Sequence, residues 1–186
     1  MPFYTHSSAL YYWLNNTGKG SAPFPGALLV IGDNTYGELG VGNTFSSSIY
    51  KKVGNLSWSS IATGSFHTAA IRSDGLLFTW GYNLYGQLGD SSVISSSSPV
   101  QVGSSTWSTV SVGLSHTGAI RSDGRLFTWG AGDAGSLGTN DAIHRSSPVQ
   151  IGTSSWSQVS LGWSHTTALT ASNVSISESN IGIVKS

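Results

Sequence analysis

One period governs this chain. The segment Leu77–Gly89, LFTWGYNLYGQLG, returns 49 residues later at Leu126–Gly138 as LFTWGAGDAGSLG, and a worn copy stands 49 residues earlier at Leu28–Gly40 as LLVIGDNTYGELG. The same step separates Trp58, Trp107 and Trp156, and again His67, His116 and His165. A fixed period of this size specifies one supersecondary unit copied along the chain, each copy burying a face that it cannot bury alone. The copies run over residues 28–76, 77–125 and 126–174, leaving 1–27 and 175–186 outside them.

Each copy reads as four short strands. In LFTW, strict alternation sends Phe78 and Trp80 to one face and Leu77 and Thr79 to the other. An Asn-x-x-Gly-x-Leu-Gly turn follows, in which Asn34 and Asn83 (Gly132 in the third copy) and the glycines at 37, 86 and 135 are residue types that take positive φ. The second strand is Pro99–Val102 and again Pro148–Ile151, with proline tolerated at the opening residue. The third is Trp107–Val112. The fourth lies in Gly113–Ile120, with His116, Gly118 and Ile120 on one face. Arg72-Ser-Asp-Gly75 and Arg121-Ser-Asp-Gly124 are tight hairpin turns back to the next LFTW. At the end of the third copy Ser175–Ser179 replaces LFTWG, which reads as a closing strand over 174–177 and then a tail.

Four strands in about 50 residues with glycine and aromatics at fixed places is the pattern of a β-propeller blade. The motifs Trp80-Gly81-x-Asn83-x-x-Gly86-Gln87-Leu88-Gly89, with Trp129-Gly130 at the same place in the next copy, a Pro-Val strand, and Gly113-x-x-His116-Thr117-x-Ala119-Ile120 resemble the regulator-of-chromosome-condensation repeat. The resemblance covers 28–174. It implies an all-β fold of propeller-type blades. The founding member is a seven-bladed exchange factor for a small nuclear GTPase that also binds chromatin, so the resemblance carries a regulatory, protein-binding role as one expectation. Architecture transfers more securely than activity, because unrelated functions share one fold.

Propellers close with about 4–8 blades, so three repeats form a partial propeller or part of a ring completed by other chains. Two copies could pair head to tail, the chain's own ends could close the arc, or other proteins could cover it. The consecutive aromatics Tyr11, Tyr12 and Trp13 cannot all face one side of a strand or helix, which marks 1–27 as an anchor segment with a Gly/Pro linker. Charged residues make up only 9 % of the chain and the formal net charge is zero, which argues against capture of nucleic acid. No apolar run approaches the length needed to span a bilayer, and the start lacks the basic and apolar regions of a secretion signal.

That low-charge surface, rich in Ser and Gly, without a secretion signal suits a virion: a phage capsid-decoration, tail or fibre protein whose partners are virion proteins or copies of itself. The alternatives are a cytoplasmic regulatory adaptor resembling the exchange factor and a propeller that binds surface glycan through the loops at 43–50, 90–98 and 139–147. No catalytic constellation is expected. Asp74 and Asp123 are explained by their turns, and no Gly-x-Ser-x-Gly elbow or phosphate loop occurs. His67, His116 and His165 could meet around a metal only near a propeller axis, and their expected task is to pin a neighbouring loop by hydrogen bonds. No metal and no cofactor are expected, and the repeated Trp, Gly and His positions are assigned to structure.

Overall fold

The computed structural model describes residues 26–171. Eleven strands fill them: β1 Leu29–Gly32, β2 Ser47–Lys52, β3 Trp58–Thr63, β4 His67–Arg72, β5 Leu76–Gly81, β6 Ser96–Val112, β7 His116–Arg121, β8 Leu126–Gly130, β9 Arg145–Gln150, β10 Trp156–Leu161 and β11 Thr166–Thr170. A single 3-10 turn, Asp133–Gly135, is the helical content of this region. The anchor residues Tyr11, Tyr12 and Trp13, the linker before Gly26 and the closing strand over 174–177 lie outside the described residues.

All pairings are antiparallel. The central sheet has the order β3-β4-β5-β6-β7-β8-β9. Strand β6 is 17 residues long and serves two blades: Ser96 to Gln101 pairs with β5, and Trp107 to Val112 pairs with β7. Two complete four-stranded blades result. The first is β3, β4, β5 and the start of β6; the second is the end of β6 with β7, β8 and β9. Flanking them are two separate hairpins, β1-β2 before and β10-β11 after.

The sequence period and the blade are therefore out of phase. Each 49-residue copy begins at the third strand of one blade and ends at the second strand of the next. Three copies yield two whole blades and two complementary halves. The second-strand expectation is corrected as well: β6 and β9 start three residues before Pro99 and Pro148. Those prolines sit inside a blade's outer strand, where a missing N–H breaks no obligatory ladder bond.

The cores lie between blades. Leu28, Val53, Trp58, Ala70, Phe78 and Trp80 fill the space between the first hairpin and the first blade. Ala69, Ile71, Leu77, Val102, Trp107, Val110, Val112, Ala119 and Trp129 fill the next interface. Ile120, Leu126 and Val159 begin the third. Alternation explains the division: Ala70 and Phe78 face one neighbour, while Ala69, Ile71 and Leu77 face the other. Trp58 meets Phe78 edge-on at 5.5 Å and Trp80 at 5.9 Å, and Trp107 repeats this with Phe127 at 5.4 Å and Trp129 at 6.0 Å.

Glycines make the close approach possible. At Gly40 and Gly89 φ is +67° and +70°, and a Cβ there would stand 2.6 and 2.5 Å from Nε1 of Trp80 and Trp129. Both the backbone conformation and the indole exclude a side chain. Gly89→Ala is expected to lower stability by about 2 kcal/mol or more, read as a lower urea midpoint with an unchanged slope.

Asn34 and Asn83 differ from the expectation of positive φ, since neither is among the positive-φ residues. Both are fully buried and act through their amides. Asn83 Nδ2 donates to the Ile94 carbonyl at 3.1 Å and the Ser92 carbonyl at 3.3 Å, while its Oδ1 accepts from Leu88 N–H at 2.9 Å. Asn34 does the same with Asn43, Phe45 and Leu39. The asparagine is a brace holding the long loop to the turn. The glycines at 37, 86 and 135 do take positive φ.

Candidate functional site

A hydrogen-bond relay ties each blade to the next, and it fixes where the loops stand. The carbonyl of Glu38 accepts from Trp80 Nε1–H at 2.7 Å and from the Thr68 hydroxyl at 2.9 Å. One period on, the carbonyl of Gln87 accepts from Trp129 Nε1–H at 2.9 Å and from the Thr117 hydroxyl at 2.8 Å. Because Thr117 spends its one proton on Gln87, its oxygen accepts from His67, whose Nε2 lies 2.8 Å away. His67 is thereby fixed as the neutral Nε2–H tautomer. His116 Nε2 lies 3.2 Å from the Thr166 hydroxyl, which in turn donates to the Ser136 carbonyl at 2.8 Å.

The histidines thus bond a strand threonine of the following blade, which passes the link on to a loop carbonyl, and the His116 ring also bonds the backbone of His165 in the next turn directly. Burial drives the pKa of His67 down to about 3, with His116 adding a smaller push in the same direction; burial also lowers that of His116. His165 is exposed. Among the described residues no group of three or more His, Cys, Asp or Glu could hold a metal ion.

Asp74 and Asp123 sit in hairpin turns, paired with Arg72 at 2.6 Å and Arg121 at 2.5 Å. Each arginine also lies 5.0 Å over a ring, Phe78 or Phe127. The hydrogen bond from Arg121 is the chief cause that holds Asp123 down to about 2. These pairs are exposed surface clamps at the turn end of the blades.

The opposite end is different. Strands β3 and β5 run in the same sense because both are antiparallel to β4, so the short turn after β3 and the long loop after β5 emerge on one side. Five rings from these loops form a continuous row. Phe66 touches Tyr36 at 5.7 Å and Tyr82 at 6.1 Å, Tyr36 touches Tyr82 at 4.7 Å, Tyr82 touches Tyr85 at 6.4 Å, and Tyr85 touches His144 at 5.0 Å. Burial first, then Tyr85 and Tyr36, push the Tyr82 hydroxyl above its usual range, so this hydroxyl is uncharged at neutral pH.

Apolar loop tips flank the row: Phe45, Leu84, Val93, Ile94, Ile143 and Trp163 are all exposed, Phe45 by 79 % and Trp163 by 72 %. With Tyr36 and Phe66 they make eight of the fifteen exposed large hydrophobics among the described residues. Their concentration at one end sets this face apart from singly scattered surface hydrophobics. Of the variable segments at 43–50, 90–98 and 139–147, the loop parts 43–46, 90–95 and 139–144 project on this same side, and the remainder belongs to β2, β6 and β9. Sequence reasoning located those loops but missed the ring row.

Models of the regulator of chromosome condensation (RCC1) repeat match residues 25–71, 74–120 and 123–169, with a second model of the repeat over 58–87. The chain belongs to the RCC1-repeat family. Its fold is similar to that of human WBSCR16 (TM-score 0.71, 23 % identity, 80 % of this chain and 41 % of that one) and of Prp20p from Saccharomyces cerevisiae (0.69, 19 %, 79 % and 40 %). It is also similar to yeast RCC1 (Prp20) in a structure bound to Kap60 (0.68, 18 %, 79 % and 39 %). The chain spans about two fifths of the length of these structures, and at these identities the likeness is one of fold. No curated protein matches the sequence. The RCC1-repeat matches start three residues before the copies defined above, a difference of phase and not of period.

Proposed function

We propose that this RCC1-repeat chain is a non-enzymatic regulator that works by binding another protein across the ring-lined end of its blades. The observation that carries this reading is the row Phe66–Tyr36–Tyr82–Tyr85–His144. Tyrosine rings supply large contact area at low conformational cost and are enriched where binding energy concentrates. Family relatives point the same way: Prp20p is described with binding properties toward Gsp1p and histones, and yeast RCC1 is seen bound to Kap60. The virion reading rests on surface composition alone, and the family relation favours the regulator.

The first probes are purified Gsp1p and core histones, with binding followed by biolayer interferometry. Binding of either is expected to fall tenfold or more in Tyr36→Ala/Tyr82→Ala and to survive Asp74→Ala at the far end. Equal loss in both variants would reject the ring-lined face. No binding of either probe by the folded wild-type chain would reject a partner of the kind these relatives use.

A further inference from the structure

The two half-blades are complementary, and we propose that they complete each other between chains: the hairpin β10-β11 of one copy adds to strand β1 of a second copy, closing a ring of two. In the whole blades the second strand pairs with the third in one register. His67 faces Gly81 and Ala69 faces Thr79, as His116 faces Gly130 and Gly118 faces Thr128. Among the described residues β11 pairs only with β10, and β1 only with β2. Among the described residues, then, β11 is a second strand without its third, and β1 is a third strand without its second. Transposed by the 49-residue period, the missing register sets His165 against Gly32, Thr167 against Val30 and Leu169 against Leu28.

Burial at equivalent positions identifies the occupant. Ile71 and Ile120 are each 2 % exposed, whereas Leu169, at the same place in the repeat, is 60 % exposed. Trp80 and Trp129 are fully buried, whereas Ile31 in their place is 46 % exposed. Ile61 is 55 % exposed where Val110 and Val159 are 7 and 8 %, because Val110 packs with Ala69 and Ile71 on the second strand of the preceding blade and Ile61 has no such strand among the described residues. The same positions on β11 and β1 that are bare here are those which a neighbouring blade strand covers elsewhere. The histidine relay extends across the junction too: His165 is exposed, and the hydroxyl of Thr68 stands where Thr117 and Thr166 receive His67 and His116.

Copy number follows from counting. The described residues of each chain supply two whole blades and two halves, so two copies of them make six blades, within the range of about 4–8 at which propellers close, and three copies overshoot it. Each junction is a heterologous contact, and a ring results because the second junction uses the other two free edges.

The chain has no cysteine, so a disulfide can report the pairing directly. In the full-length chain, Val30→Cys/Thr167→Cys is expected to oxidise to a covalent dimer on a non-reducing gel, while either single variant stays monomeric. Native mass spectrometry of the wild type is expected to give twice 19.4 kDa. Leu169→Glu, at a site already exposed in one chain, is expected to leave the far-ultraviolet spectrum intact and to weaken self-association by about a hundredfold or more. A disulfide formed within one chain, a 19.4 kDa species at high micromolar concentration, or a ladder of higher multiples would overturn the two-copy ring. So would a dimer that Leu169→Glu leaves untouched.

Discussion

Replacing Trp80 with alanine is expected to cost about 3–5 kcal/mol of unfolding free energy. The indole is fully buried and sits at the joint between the first hairpin and the first blade. It meets Trp58 at 5.9 Å, leaves no room for a Cβ on Gly40, and donates to the Glu38 carbonyl at 2.7 Å. Alanine opens a cavity that the rigid sheet on either side cannot close. Trp80→Phe restores most of the apolar volume but loses the hydrogen bond, so it should fall between wild type and alanine. Trp163→Ala is the control: that ring is 72 % exposed, and its removal should shift stability by less than about 0.5 kcal/mol. Urea unfolding followed by circular dichroism reads all three without depending on indole fluorescence. Equal losses at Trp80 and Trp163 would show that the blade joint is not where the stability resides.

The same joint shows how far the sequence could be read. The period, the four strands per copy and the alternation of Phe78 and Trp80 against Leu77 were legible, because burial on both faces of a sheet writes itself as a two-residue pattern. The phase of the blade was not legible. A cyclic pattern has no marked origin, and only hydrogen-bond partners show that β6 leaves one blade and enters the next. The role of Asn83 was hidden for a related reason. Asparagine suits both a left-handed turn position and a buried brace, and the choice depends on the carbonyls of Ser92 and Ile94 reaching it from the far side of a loop.

The ring row escaped the sequence for the opposite reason. Self-comparison brings out positions that recur in every copy, and no position of the row does: Tyr82 is Asp33 and Ala131 in the other copies, Phe66 is Ser115 and Ser164, and the place shared by Tyr36 and Tyr85 holds Ala134 in the third. Recurrent residues hold a repeat protein together. Residues that break the repeat at loops of one end are those free to serve a partner. The histidines illustrate the first class: His67 and His116 are buried and each bonds the threonine of the next copy, while His165, with no such threonine among the described residues, is exposed.

That burial makes acid the most revealing perturbation of this fold. His67 has a proton on Nε2, committed to Thr117, and a buried Nδ1 with no hydrogen-bond partner. Protonating Nδ1 would place a cation in a fully buried site with no protein acceptor, and burial accordingly lowers the pKa to about 3. An unfolded histidine titrates near 6.5. Between these values the unfolded chain holds a proton that the folded chain refuses, so stability rises with pH across this window. The contribution of His67 is complete above about pH 6.5 and is lost progressively as the pH falls toward 3, up to on the order of 4 kcal/mol. His116, shifted in the same direction by burial, adds to the slope. The clamped carboxylates Asp74 and Asp123 are also shifted downward, but their loss begins only below the ordinary carboxylate range. Urea midpoints taken between pH 7 and 4.5 isolate the histidines from them. Wild type should lose about 1.4 kcal/mol per pH unit through His67 once below pH 6, and His67→Gln, less stable at pH 7, should show a shallower slope. A slope unchanged by His67→Gln would mean that the folded chain admits the proton after all, and that the relay from His67 through Thr117 to Gln87 is not the dry, neutral joint between blades.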